Sequence, residues 1–183
     1  MRYTFSEEVK GELCQVEVLS AEEAQAELIG YLKGKGVFVK TSTDSYISLE
    51  VGFIPAARRI MTLMHQLGVD KKKLTLLKNR LQKKRVQVFI PVDILAKLGI
   101  SILETPDFIE NDIGLFGAFL RGLFVSSGSI TDPSRHYHFE LVSYSENLLE
   151  HVSKLLNNFL GITGKISKRN MDVQKMIENG VLY

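Results

Sequence analysis

Apolar and polar positions along this chain fall into two rhythms, and the order of those rhythms is written twice. Helical spacing runs through Leu28-Ile29-Gly30-Tyr31-Leu32-Lys33-Gly34-Lys35-Gly36 and gives way to strand-like alternation over Val37 to Thr41 and Tyr46 to Val51. The same succession recurs at Leu120-Arg121-Gly122-Leu123-Phe124-Val125-Ser126-Ser127-Gly128, followed by alternation over Ser129 to Thr131 and His136 to Val142. Each hairpin pattern leads into a helix, Pro55 to Leu67 or Ser145 to Leu160, closing with Leu67-Gly68-Val69 or Leu160-Gly161-Ile162. Subtraction gives 122 − 30 = 92 and 128 − 36 = 92 for the glycines, 140 − 50 = 90 for Glu50 and Glu140, and 161 − 68 = 93. A near-constant offset through helix, hairpin and helix is what duplication produces, and two copies of long period predict a pseudo-twofold domain, not a solenoid.

Capping residues place the remaining boundaries. Ser6 before Glu7 and Glu8 opens a helix to about Val18, and Ser20 with Glu23 reads as a capping box for the helix that carries the first motif to Gly34. Ser143 with Glu146 gives the matching signal in the second half, and Pro55 suits the first turn of its helix. Pro91 to Gly99 predicts a short helix and Ile100 to Asp112 a connector. The expected organisation is an amino-terminal helix over 1–19, a first half over 20–99, a connector over 100–113, an incomplete second half over 114–170, and a helical tail over 171–183.

Composition narrows the class. With 183 residues, 45% of them hydrophobic, the chain has material for one ordinary core, and no apolar run approaches the roughly 20 residues of a membrane span. The start, Met1 to Glu8, lacks the apolar core of a signal peptide, and the single Cys14 has no internal disulfide partner, so a cytoplasmic setting is expected. The net charge of +2 identifies no partner, but its distribution is uneven: Lys71 to Arg85 holds eight cations and no anion. Strand alternation there would turn Lys78 and Arg80 toward a phosphate backbone, or the run is a solvated strand and loop whose lysines discourage edge pairing.

Chemistry concentrates on the motif helices. Gly30 and Gly34, like Gly122 and Ser126, are four apart on one helical face, and residues so small let two helix backbones approach more closely than the usual 8 to 10 Å, which is about what larger side chains allow. Tyr31, Leu32, Leu123, Phe124 and Val125 then point to flanking sheets, and Gly36 and Gly128 are expected to end the helices with a positive dihedral. His136 and His138 share a strand face but lack a third metal ligand, and nothing near Ser126 or Ser127 marks a general base. No phosphate loop, dinucleotide fingerprint or zinc spacing appears. No cofactor and no metal are expected.

The two motif copies resemble degenerate versions of the LAGLIDADG motif of homing endonucleases. That resemblance implies an α+β fold of two pseudo-twofold-related αββαββα halves, with the motif helices packed at the centre and two sheets forming a saddle over DNA. In those enzymes the eighth motif residue is an acid that holds a divalent metal. The corresponding positions here are Lys35 and Ser127, and the sixth positions, Lys33 and Val125, supply no substitute carboxylate. The resemblance therefore carries the scaffold and denies the nuclease.

A narrower likeness lies over the first. Phe5 to Leu13, Phe119 to Pro133 and Tyr137-His138-Phe139-Glu140 resemble the WhiA family of bacterial sporulation and cell-division regulators. The family resemblance implies a nucleoid-associated transcription factor whose LAGLIDADG-like amino-terminal domain is joined to a carboxy-terminal helix-turn-helix. Met171 to Tyr183 is similar to the linker before that module, and the resemblance implies further material near Asn170 and after Tyr183. Three readings follow. A DNA-binding regulator would use Lys35, Lys40, Lys78, Arg80, Lys83, Lys84, Arg85, Arg135, Lys165, Lys168 and Arg169 as phosphate contacts on double-stranded DNA. A docking platform would instead meet transcription machinery or other regulatory proteins. An active endonuclease would need relocated acids such as Glu27 or Asp112.

Overall fold

Two fifteen-residue helices, α2 (Ala21–Lys35) and α6 (Ile113–Ser127), pack on each other more extensively than any other pair of elements. They belong to a computed structural model that describes residues 3–78, 85–101, 104–135 and 138–168. Ser20 starts α2 by accepting a hydrogen bond from the Glu23 amide (3.1 Å), while the Glu23 carboxylate accepts from the Leu19 amide (2.9 Å), one residue short of a full capping box. Asp112 starts α6 by accepting from the amides of Gly114 (2.7 Å) and Leu115 (2.9 Å).

Each motif helix runs straight into a hairpin. In the first half β1 (Gly36–Lys40) and β2 (Ser45–Val51) join β3 (Thr75–Lys78) and β4 (Val86–Pro91) in an antiparallel sheet of order β1-β2-β4-β3. Ile47, Leu49 and Val51 of β2 and Val86, Val88 and Ile90 of β4 are buried on one face, as period-2 alternation requires. They meet Ala56, Ile60, Leu63 and Met64 of α3 (Ile54–Gln66), the chain then closing through α4 (Val92–Lys97).

The second half repeats the beginning of this plan with β5 (Gly128–Ile130), β6 (Phe139–Leu141) and α7 (Glu146–Leu160). Gly36 pairs with Leu49 and Gly128 with Leu141, so both strands keep one offset, 128 − 36 = 141 − 49 = 92. Glu140 is therefore the counterpart of Ser48, not of Glu50 as sequence spacing suggested. Among the described residues the second sheet has two strands. A groove of about 750 Å³, bounded by β6, Leu149, Val152 and Leu156 of α7 and residues 164–168, lies on the side of β6 that corresponds to the β4 side of β2.

Four local expectations are corrected. The amino-terminal helix, α1 (Phe5–Leu13), is capped by Thr4 in a full capping box with Glu7 and stops at Leu13 instead of Val18. Ser6 has another task, accepting from the Ile130 amide (3.2 Å) and so tying α1 to β5. The cap of α7 is Ser145, which accepts from Leu148 (3.2 Å), whereas Ser143 accepts from the amide of Ser145 (3.1 Å). The connector contains a helix, α5 (Asp107–Asn111), held by the fully buried Ile109.

Candidate functional site

The backbone packing of α2 on α6 is symmetric about the two motif glycines. A Cβ on Gly30 would overlap the Phe119 carbonyl oxygen and lie 2.7 Å from the Leu123 nitrogen; one on Gly122 would overlap the Glu27 carbonyl oxygen and lie 3.0 Å from the Tyr31 nitrogen. Because 119 − 27 = 123 − 31 = 92, each glycine meets the same two positions of the other helix, the signature of an approximate dyad. Gly34 faces Ser126, its own counterpart (126 − 34 = 92), whose Cβ would stand 3.2 Å from a Cβ on Gly34. Gly30, Gly34, Gly122 and Ser126 thus come together at the centre.

Gly36 and Gly128 act differently from expectation. Their φ values, −69° and −89°, are open to any residue. What they supply is room: a Cβ on Gly128 would strike the Phe124 ring, and one on Gly36 the Leu32 carbonyl, with Ile47 Cγ2 at 3.1 Å. The left-handed glycine instead appears at Gly68, Gly99 and Gly161, at the ends of α3, α4 and α7.

The motif ends carry cations and hydroxyls. Lys35 is exposed at the last position of α2. Ser127 is buried and, like Ser126, donates its hydroxyl to the Leu123 carbonyl at 3.0 Å. Lys10 of α1 reaches the same end, its ammonium 5.6 Å from the centroid of Phe124, which stacks on Phe139 at 5.1 Å. Burial, and then the neighbouring charge of Lys35, hold Lys10 below the usual lysine range. Lys33 is half-buried and lowered by that burial, against the opposing pull of Glu104; Val125 is buried. Among the described residues no group of three metal-ligating side chains occurs.

The relocated acids are already occupied. Glu27 is fully buried and receives both nitrogens of a bidentate Arg59 fork at 2.7 Å each, plus Arg121 Nε at 2.9 Å. Arg121 continues to Glu23 (2.8 Å), and Arg59 to the carbonyl of Val16 (2.6 Å). Glu27 is thus engaged by two guanidinium groups, and it stands eight residues, about 12 Å of helix, before Lys35. Asp112 is spent as the cap of α6. The network joins α2 and α3 of one half to α6 of the other, and sequence reading missed it. Its signals were an arginine beside Ile60 on the buried face of α3 and another inside the second motif.

The candidate phosphate contacts that are described come from several elements. Lys40 is exposed at the end of β1, Arg135 in the turn between β5 and β6, and Lys165 beyond α7. Arg85 pairs with Glu50, and Lys168 with Glu146 at 2.9 Å. Lys78 is in backbone register with Val86. Arg80, Lys83, Lys84 and Arg169 lie outside the described residues, as does His136. On the face of the four-stranded sheet turned from the helices, register aligns Val37, Ser48, Phe89 and Thr75 in one row and Val39, Tyr46 and Pro91 in the next. Tyr46 and Phe89 meet edge to face at 6.5 Å. These two rows carry no charged side chain and are partly aromatic, while the next row holds Glu50, paired with Arg85; no described helix is long and apolar enough to cross a membrane.

Comparison with known proteins agrees with this geometry. Residues 21–101 match the family model described as the WhiA N-terminal LAGLIDADG-like domain, and residues 116–180 the WhiA LAGLIDADG-like domain. The "Probable cell division protein WhiA" of Thermotoga maritima is 37% identical over 171 residues, covering 93% of this chain and 55% of that protein. Its namesake in Clostridium beijerinckii is 27% identical over 193 residues, covering 97% and 61%. The chain thus spans little more than half the length of these relatives. Among solved structures, the N-terminal LAGLIDADG domain of WhiA superposes with a TM-score of 0.70 at 30% identity, covering 92% of this chain and 83% of that one. Full-length WhiA from Thermotoga maritima gives 0.68 at 31%, covering 88% and 52%. The homing endonuclease I-DmoI, in complex with DNA and Mn, gives 0.60 at 20% identity over 82% and 85%, a likeness of fold alone.

Proposed function

The chain belongs to the WhiA family, and from that premise we propose that it is the LAGLIDADG-derived part of a DNA-binding regulator that holds duplex without cutting it. The observation that carries this reading is the chemistry of the motif ends, where Lys35 and Ser127 stand at the positions the resemblance assigns to metal-binding acids and Lys10 adds a second ammonium. An ammonium repels a divalent cation and attracts a phosphate. Exposed Lys35, Lys40, Arg135 and Lys165 would neutralise backbone phosphates, which fixes position on the duplex but reads little sequence. Base reading would then fall to the helix-turn-helix that the family resemblance implies. The names of the relatives support a place in bacterial cell division, and sporulation control in the cytoplasm, at the nucleoid, belongs to the same proposal.

Duplex affinity measured against salt tests it: log K should fall linearly with log salt, with a slope of about −0.9 for each phosphate neutralised. A supercoiled plasmid incubated with Mg²⁺ or Mn²⁺ should stay intact. A second reading, a docking platform for transcription machinery or other regulatory proteins, is favoured by one observation. The outward sheet face offers Val37, Val39, Tyr46 and Phe89, while Arg85 and Lys168 are neutralised by carboxylates. Absence of duplex binding at low salt would favour that reading.

A further inference from the structure

Five described cations are paired, and the two at the end of the motif helices are not. Arg59, Arg85, Arg121, Lys97 and Lys168 each pair with a carboxylate. Lys10 and Lys35 have no carboxylate within ion-pair distance among the described residues. Lys10 is held in place from two directions: α1 is tied to β5 through Ser6, and the ammonium rests on the Phe124 ring. Phe124 lies one helical turn before Ser127, whose Oγ would be 3.0 Å from a Cβ on Gly34, the residue next to Lys35.

We propose that Lys10 and Lys35 form an anion site at the shared end of α2 and α6 that takes one phosphate group, and that this group is a backbone phosphodiester of the bound duplex. The second clause rests on the DNA-binding reading; the first does not. The hydroxyls of Ser126 and Ser127 both donate to Leu123, so the ligand meets ammonium groups alone. Two helix carboxyl ends converge here, each worth about −0.5 of a charge, against two full positive charges. The balance is about +1, the complement of a singly charged phosphodiester. Burial of Lys10 and its repulsion by Lys35 are both relieved when an anion sits between them, and the weaker opposing influences of Cys14 and Glu7 leave that need standing.

The test uses two probes on the whole 183-residue chain. Inorganic phosphate is titrated while the side-chain ammonium resonances of Lys10 and Lys35 are followed by NMR, with Lys97, paired to Asp93, as the control. Duplex affinity is measured against salt for wild type, Lys10→Met, Lys35→Met and the double variant, with Lys10→Arg to retain the charge. Because one phosphate is shared, the double variant should lower the salt slope by about 1 and not 2, and Lys10→Arg should restore most of the affinity. A duplex bound with unchanged slope in the double variant overturns this site and leaves the DNA reading intact. Phosphate-induced shifts at both lysines without any duplex binding keep the anion site, with free phosphate as its ligand, and sink the DNA reading. Neither response overturns both. Thermal unfolding of each variant confirms that the fold is kept.

Discussion

A single methyl group on Gly122 reports on the helix pairing. Its Cβ would overlap the Glu27 carbonyl oxygen and stand 3.0 Å from both the Glu27 carbonyl carbon and the Tyr31 nitrogen, where ordinary contact begins near 3.4 Å. All three are backbone atoms of a buried helix, so no side chain can swing aside. α6 must withdraw by about an ångström, and a gap of that size forfeits a quarter to a half of each contact's attraction along the seam. Overpacking against yielding neighbours costs about 1–3 kcal/mol, and rigid backbone belongs at the upper end, about 3. Alanine returns about 0.8–1.0 kcal/mol of helix propensity, leaving Gly122→Ala about 2 kcal/mol less stable than wild type. Gly117→Ala isolates the propensity term, because it lies in the same helix with nothing within 4 Å, and should be more stable than wild type by about 0.8 kcal/mol. Urea denaturation at constant m value measures both. Equal stabilities for the two variants would refute the close approach of the helices. The dyad adds that Gly30→Ala should match Gly122→Ala, and that the double variant should cost less than the sum, since one withdrawal makes room for both methyls.

Glu27→Ala leaves the buried Arg59 guanidinium without its anion and Arg121 with Glu23 alone, and should cost about 3–5 kcal/mol in the same assay, whereas replacing Glu27, Arg59 and Arg121 together by methionine should recover most of it. Burial raises the Glu23 carboxyl, but the Leu19 amide and Arg121 outweigh it, so its folded pKa lies below the ordinary 4.5. Its contribution is therefore present above about pH 4.5 and lost as pH falls through the lower folded value. The stability gap between wild type and Glu23→Gln should be flat near neutrality and close in acid; a gap that widens in acid would contradict the assignment. Lys35→Asp with Ser127→Asp should give measurable heat on titration with Mg²⁺ or Mn²⁺ where wild type gives none, and silence from the variant would count against two carboxylates meeting at the dyad.

Local chemistry explains what was readable in the sequence. The motif helices and their hairpins were legible because small residues at four-residue spacing and period-2 alternation each encode one face of one element. Ser20 was legible because its partner, Glu23, lies within the same turn. Thr4 was not, since Thr4 with Glu7 and Ser6 before two glutamates both satisfy a capping pattern, and only the Ser6 contact with Ile130, 124 residues away, decides between them. The ionic network was hidden for the same reason: its bonds span 32 residues from Glu27 to Arg59 and 94 to Arg121. Charge counting also left the pairing of two candidate phosphate contacts unseen. Arg85 and Lys168 look free in sequence, but their partners, Glu50 and Glu146, are supplied by other elements. The role of Gly36 and Gly128 was misread because a glycine after a helix usually marks a dihedral, and here it marks the room needed where a strand leaves directly beneath the helix.

Most directly, the dyad can be tested by joining it covalently. In a Cys14→Ala background, which removes the only native cysteine, Gly34→Cys and Ser126→Cys would place two Cβ atoms about 3.2 Å apart, close to the usual disulfide separation of about 3.5–4.5 Å. Mild oxidation of the folded protein should yield one peptide pair linking residues 34 and 126 by mass spectrometry. Two thiols that remain free and reactive after oxidation would show that the motif helices do not meet, and the account of the fold and of the site at its centre would be contradicted.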